Sequence, residues 1–206
     1  SDSFTTPNPD TLEKIFPNCR LVIFSNSGDH FWINRTAINY YGFDLSADCN
    51  EAFWKLLDEI LSDKKFIKPL FKQYMSLLNS RGITSVKEIG FDEFSGFQKI
   101  LSELEEENEL HLRVHFMSQP VGYNANFEYA QKMMNEYNSP FIRFSGFNRM
   151  TDGSISQGNG LLKKPYENQS YNCKLNIDWD LIKDEVLKAD QLGTRFSLNA
   201  QGDGAV

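Results

Sequence analysis

From Arg20 to the end of the chain, short β-branched or aromatic runs alternate with stretches whose apolar residues recur at the helical period. That alternation is the strongest constraint on the fold. Strand, helix, strand is the order expected of parallel strands joined by helical crossovers. The runs are RLVIFS (20–25), ITSVKEI (83–89), LHLRVHF (110–116), FIRFSGFNRM (141–150) and RFSLN (195–199). Between them, Phe53, Trp54, Leu57, Ile60 and Leu61 keep the helical period, and Leu70, Phe71, Tyr74, Leu77 and Leu78 resume it, with Pro69 fitting the start of that second helix. Phe97, Ile100, Leu101 and Leu104 mark another helix, residues 127–137 a further one, and Ile182, Val186 and Ala189 the last, capped by Asp178 and stopped by Gly193. A short helix is expected where Ala37, Tyr40 and Tyr41 share a face, with Gly42 closing it. Five parallel strands predict an α/β fold, either an open sheet or a partial TIM-barrel-like sheet. Residues 1–18 read as a polar lead and 19–206 as one domain.

Composition narrows the partners. With 206 residues, 40% of them hydrophobic, the chain can bury a core of its own. A net charge of −7 weighs against nucleic acid and against an anionic membrane surface. No run approaches the roughly 18 apolar residues of a membrane span, and SDSFTTPNPD lacks a leader's basic and apolar stretches. Cys19, Cys49 and Cys173 form no CxxC pair, so no thiolate zinc site is expected. So sparse a count suits a reducing compartment, and the cytoplasm is the expected location.

Several polar residues stand where strands end. His30, Trp32 and Asn34 follow the first run and suit either a polar pocket or a structural turn. Asp152 and Ser154 lie in TDGSISQGNG, a glycine-rich stretch whose backbone N–H groups suit an anion but which matches no nucleotide-binding pattern. His111 and His115 share one strand face, about 13 Å apart, too far for one metal. Histidines satisfied by a partner are expected, the alternative being that one of them points into a site. Glu88 reads as an acid/base group or an ion-pair partner, and spacing alone assembles no catalytic triad.

Four stretches together resemble one family: SGDHFWINRTAINYYGFD, RGITSVKEIG, GFNRMTDGSISQGNGLLKKPYEN and GTRFSLNAQGDGAV. In that order they are similar to the amidohydrolase family 3 branch of the metal-dependent amidohydrolase superfamily, with its GH-x-x-x-x-N-x-x-A-L, G-(I/V)-T-(S/T)-V, K-x-x-x-DGS and H-x-x-GD-x-A-(V/I) stretches. The resemblance implies a (β/α)₈ barrel and hydrolysis of a small amide-like substrate by water activated on a zinc-like divalent metal. It implies substrate-side roles for His30, Trp32, Asn34 and Ser154, and loop-structural roles for Asp152, Gly153, Gly202 and Asp203. Two family ligand positions are changed: the Lys corresponds to Asn148 and the His to Asn199. A neutral amide is a weak zinc ligand, so no metal is expected on this chain, and no catalytic residue is assigned. LNAQGDGAV reads as the fifth barrel strand and its loop. The chain is therefore expected to be a fragment of a longer protein, inactive by itself, with unpaired sheet edges that favour a homodimer. The alternative is a degenerate, non-catalytic module for a small ligand or an interaction.

Overall fold

The computed structural model describes residues 8–26, 30–43, 49–90, 97–120 and 124–206. It divides into two compact units, residues 1–67 and 68–206.

The first unit begins with α1 (Pro9–Ile15), capped by the Asn8 side chain, which accepts from the Asp10 N–H at 2.7 Å. Strands β1 (Val22–Phe24) and β2 (Phe31–Ile33) follow, paired antiparallel with Ile23 opposite Trp32. Helix α2 (Arg35–Tyr41) ends at Gly42, whose left-handed φ of 65° closes it, and α3 (Cys49–Ser62) completes the unit. Ile33, Ala37, Phe43 and Ala52 form a buried cluster against which Val22, Phe24, Phe31, Ile38 and Tyr41 pack. Glu59 fastens α3 from within the unit: it accepts from Tyr41 Oη at 2.5 Å and pairs with Arg20 at 2.5 Å. Burial and that carboxylate push the Tyr41 phenol up to about 12.

The RLVIFS run therefore does not join the parallel sheet, contrary to the five-strand expectation. The reason is the brevity of its connection to the next strand. Six residues, 25–30, separate β1 from β2, and a link that short joins antiparallel neighbours, whereas a parallel crossover takes a dozen residues or more.

Helix α4 (Lys64–Ser80) starts earlier than Pro69 predicts, because Asp63 caps it, its Oδ1 accepting from the Phe66 N–H at 3.2 Å. In the second unit, β3 (Ser85–Gly90), α5 (Phe97–Glu106), β4 (Arg113–Ser118), α6 (Phe127–Glu136), β5 (Ile142–Met150), α7 (Trp179–Gln191) and β6 (Phe196–Asn199) alternate as expected. The four strands are all parallel, in the order β3-β4-β5-β6, and curl into a half-barrel. Among the described residues no helix is long and apolar enough to cross a membrane.

One sheet face is covered by helices and is aromatic. Phe116 and Phe144 lie 5.4 Å apart, Phe127 of α6 lies 5.1 Å from Phe147, and Phe147 lies 5.6 Å from Phe196. Phe144 and Phe147 are three residues apart, so a regular strand would turn them to opposite faces. A bulge resolves the conflict: Phe116 pairs with Phe144 but Ser118 with Phe147, one extra residue on β5. Gly146 sits in that bulge with φ of 112°.

Candidate functional site

In parallel α/β sheets, ligand sites gather at the C-terminal ends of the strands. Here those ends are Gly90, Ser118, Met150 and Asn199. On the face away from the helices, the cross-strand pairs Asn148–Ser197 and Met150–Asn199 stand side by side. Ser197 Oγ donates to Asn148 Oδ1 at 2.8 Å, and Asn199 Nδ2 lies 3.1 Å from Met150 Sδ. On the other face, Arg149 pairs with Glu185 of α7 at 2.6 Å, and Glu185 Oε1 also accepts from the Ala125 N–H at 2.8 Å. One buried carboxylate thus ties β5, α7 and the segment before α6 together. Sequence reasoning passed over Glu185. The signal is its place within the apolar stripe of Ile182, Val186 and Ala189, where a charge needs a partner.

Just past β5, Asp152 is 2% exposed and its carboxylate accepts three backbone N–H groups: Gln201 at 2.8 Å, Leu161 at 2.7 Å and Gly202 at 2.8 Å. Burial alone raises its pKa, but the N–H donors together outweigh burial and hold the carboxyl below its ordinary value. Asp203 Oδ1 accepts from the Lys163 N–H at 2.9 Å, and the Gly204 N–H donates to Leu161 O at 2.9 Å. The 152–163 stretch and the loop after β6 are therefore clamped to one another. Gly202 is buried in that clamp, where a Cβ would lie 1.9 Å from Leu161 O. A Cβ on Gly153 would lie 2.8 Å from Asn159 Cβ. Ser154 Oγ bonds Ser156 Oγ at 2.8 Å, across one 3₁₀ turn.

His30, Trp32 and Asn34 lie in the first unit and Ser154 in the second. His30 is exposed and Trp32 half-buried on the β2 face opposite Phe31 and Ile33. Asn34 is fully buried, and its amide is spent on backbone. Its Nδ2 donates to Phe16 O at 3.2 Å and Cys19 O at 2.7 Å, while Oδ1 accepts from Leu21 N–H at 3.1 Å and Ala37 N–H at 3.0 Å. Two donors and two lone pairs are the whole capacity of an amide, so Asn34 holds the fold and has nothing left for a substrate. Asn34→Asp is nearly isosteric and Asp is a good helix cap, yet it sets a carboxylate oxygen against two carbonyls. We expect it to cost about 3 kcal/mol in urea unfolding at neutral pH. A cost under about 1 kcal/mol would show that the amide's donor bonds contribute little.

His111 lies ahead of β4 and is exposed, so it does not share a strand face with His115. Neither imidazole has a hydrogen-bond partner among the described residues, contrary to the satisfied-histidine expectation. Protein packed around Glu88 disfavours its charged form and raises its pKa, although part of the side chain reaches solvent, and it has no ion-pair partner among the described residues.

The residues at the strand ends do not fit a divalent metal. Asn148 Oδ1 is taken by a hydroxyl, Asn199 turns its Nδ2 to a thioether, and the Asp152 carboxylate is filled by backbone N–H groups. Among the described residues no three His, Cys, Asp or Glu side chains group as a metal site.

No family model and no curated protein matches the chain. Two solved structures share its fold. An uncharacterized metal-dependent hydrolase from Pyrococcus horikoshii OT3 superposes with a TM-score of 0.73 at 21% identity, over 97% of this chain and 42% of its own. An uncharacterized metal-dependent hydrolase from Pyrococcus furiosus gives 0.69 at 22% identity, over 97% and 44%. The chain thus spans less than half the length of both, and at this identity the likeness is one of fold.

Proposed function

We propose that this chain corresponds to part of an amidohydrolase-like barrel, of the family 3 type, and does not hydrolyse amides by itself. The observation that carries the reading is the neutral, internally engaged chemistry at its strand ends: Asn148 with Ser197, and Asn199 with Met150. Fold likeness to metal-dependent hydrolases supports the hydrolase class. In the whole protein, a zinc-like ion held by residues other than those described would supply activated water for a small C–N substrate. Here the clamped loops beyond β5 and β6 would shape the substrate side.

The purified chain, equilibrated with zinc and dialysed, is expected to keep less than about 0.1 equivalent of metal, because neutral amides and a hydroxyl compete poorly with water for zinc. It is expected to show no chelator-sensitive release of ammonia or amine from simple amides. Stoichiometric metal together with chelator-sensitive turnover would overturn the reading.

The rival reading is a non-catalytic binding module, favoured by the replacement of both ligand positions. Elemental analysis of the polypeptide made by the whole gene separates the two. A stoichiometric divalent metal supports the hydrolase, and its lack supports the module.

A further inference from the structure

Opposite the strand ends, the face of the sheet away from the aromatic cluster carries a row of cations. Lys87 of β3 stands directly opposite His115 of β4, and His115 directly opposite Arg143 of β5. Direct cross-strand partners share a face. Arg195, immediately before β6, completes the row. His115, Arg143 and Arg195 line one cavity of about 240 Å³, together with Asn138 and Thr194 and the apolar Met134 and Phe144. The three flanking cations are exposed and His115 is half-buried. Arg143 Nε is held by Ser139 O at 3.0 Å, which fixes one guanidinium at the cavity wall.

This face gathers the three permanent cations Lys87, Arg143 and Arg195 around one imidazole in a chain whose net charge is −7, and among the described residues no carboxylate pairs with Lys87, Arg143 or Arg195. We propose that this cavity is a binding site for a tetrahedral oxyanion, a phosphate or phosphate monoester, recognised by Arg143 and Arg195 with His115, Asn138 and Thr194. The planar fork of arginine suits such oxygens, and the Thr194 hydroxyl and the Asn138 amide supply further donors. The site lies at the N-terminal halves of the strands, so it does not rest on the hydrolytic reading.

Its pH response follows from the same neighbours. Burial, then Arg143, Lys87 and Arg195, hold the His115 imidazole below its ordinary value, so it is neutral at pH 7. A bound anion favours the imidazolium, and affinity therefore rises as the pH falls.

The test is isothermal titration of the chain with sodium sulfate, whose charge does not change over the range used, at constant ionic strength kept with chloride. We expect saturable binding below about 10 mM, weakened at least about tenfold by Arg143→Gln or Arg195→Gln. Sulfate affinity is expected to tighten several-fold between about pH 8 and about pH 5, a slope that His115→Gln flattens. Both arginines are exposed, so the variants should fold, which far-UV circular dichroism checks. Parallel titrations with inorganic phosphate and glycerol phosphate at one pH distinguish a free ion from a monoester. No saturation with any of the three, or binding unchanged in an Arg143→Gln/Arg195→Gln double variant, overturns the proposal.

Discussion

Asp152→Ala is expected to lower the stability of the chain by about 2–4 kcal/mol, the cost of leaving the buried Gly202 N–H and the part-buried Leu161 and Gln201 N–H groups without their charged acceptor. The donors belong to Leu161, Gln201 and Gly202, so the loss falls on the clamp that joins the segment after β5 to the segment after β6. Asp152→Asn separates charge from shape. Its single amide oxygen can serve Leu161 and Gly202, which share Oδ2, but its NH₂ then faces the Gln201 N–H. A loss of about 1–3 kcal/mol is expected for it. The folded-state pKa of Asp152 lies below the unfolded value of 3.8, so the folded chain binds fewer protons. Its contribution is full above that value and fades as the pH falls through the lower, folded one. Urea unfolding of wild type and Asp152→Asn at about pH 7 and at about pH 2.5 should show the gap narrowing at the acid end. A gap independent of pH, or an alanine variant within about 1 kcal/mol of wild type, would mean that the carboxylate's charge does not hold the clamp.

What could be read from the chain alone divides along the range of the interactions. The four parallel strands were legible because β-branched runs and helical periods are local patterns, and the helix cap Asp178 was marked by residue type alone. RLVIFS resembles the later strands in composition, and only the six residues that tie it to β2 set it apart as half of an antiparallel pair. Asp152 was conspicuous in its DGS setting, but its donors lie 9, 49 and 50 residues away, so its grip is a product of the tertiary fold. The cation row was invisible for the same reason. Lys87, His115 and Arg143 become neighbours only once the strand register is set. Glu185 was within reach, since a carboxylate inside an apolar helical stripe already announces a buried partner.

Gly146→Ala is the second substitution expected to have a large effect, and it probes how β6 is held on β5. At φ of 112° an L-residue is strained, and a Cβ there would lie 1.9 Å from Arg195 O and 2.8 Å from Arg195 N. Both are backbone atoms, so no side-chain rotation relieves the clash. The same carbonyl accepts the Phe147 N–H at 2.8 Å, and Phe147 in turn packs on Phe196 at 5.6 Å. Relief requires Arg195 to move outward, which breaks that bond and opens the aromatic contact behind it. A loss of about 4 kcal/mol is expected, made of conformational strain, an orphaned N–H and lost packing. Gly193→Ala is the control: its φ of 74° is also left-handed, but a Cβ there meets nothing within 4 Å. It should cost only the conformational strain, about 1–2 kcal/mol. Hydrogen exchange at the Phe147 amide should accelerate in the Gly146 variant and stay slow in the control. If the two alanine variants lose equal stability, the close approach of Arg195 to β5 is not what requires glycine at the bulge, and the pairing of β6 must rest on the ladder from Phe196 to Asn199 alone.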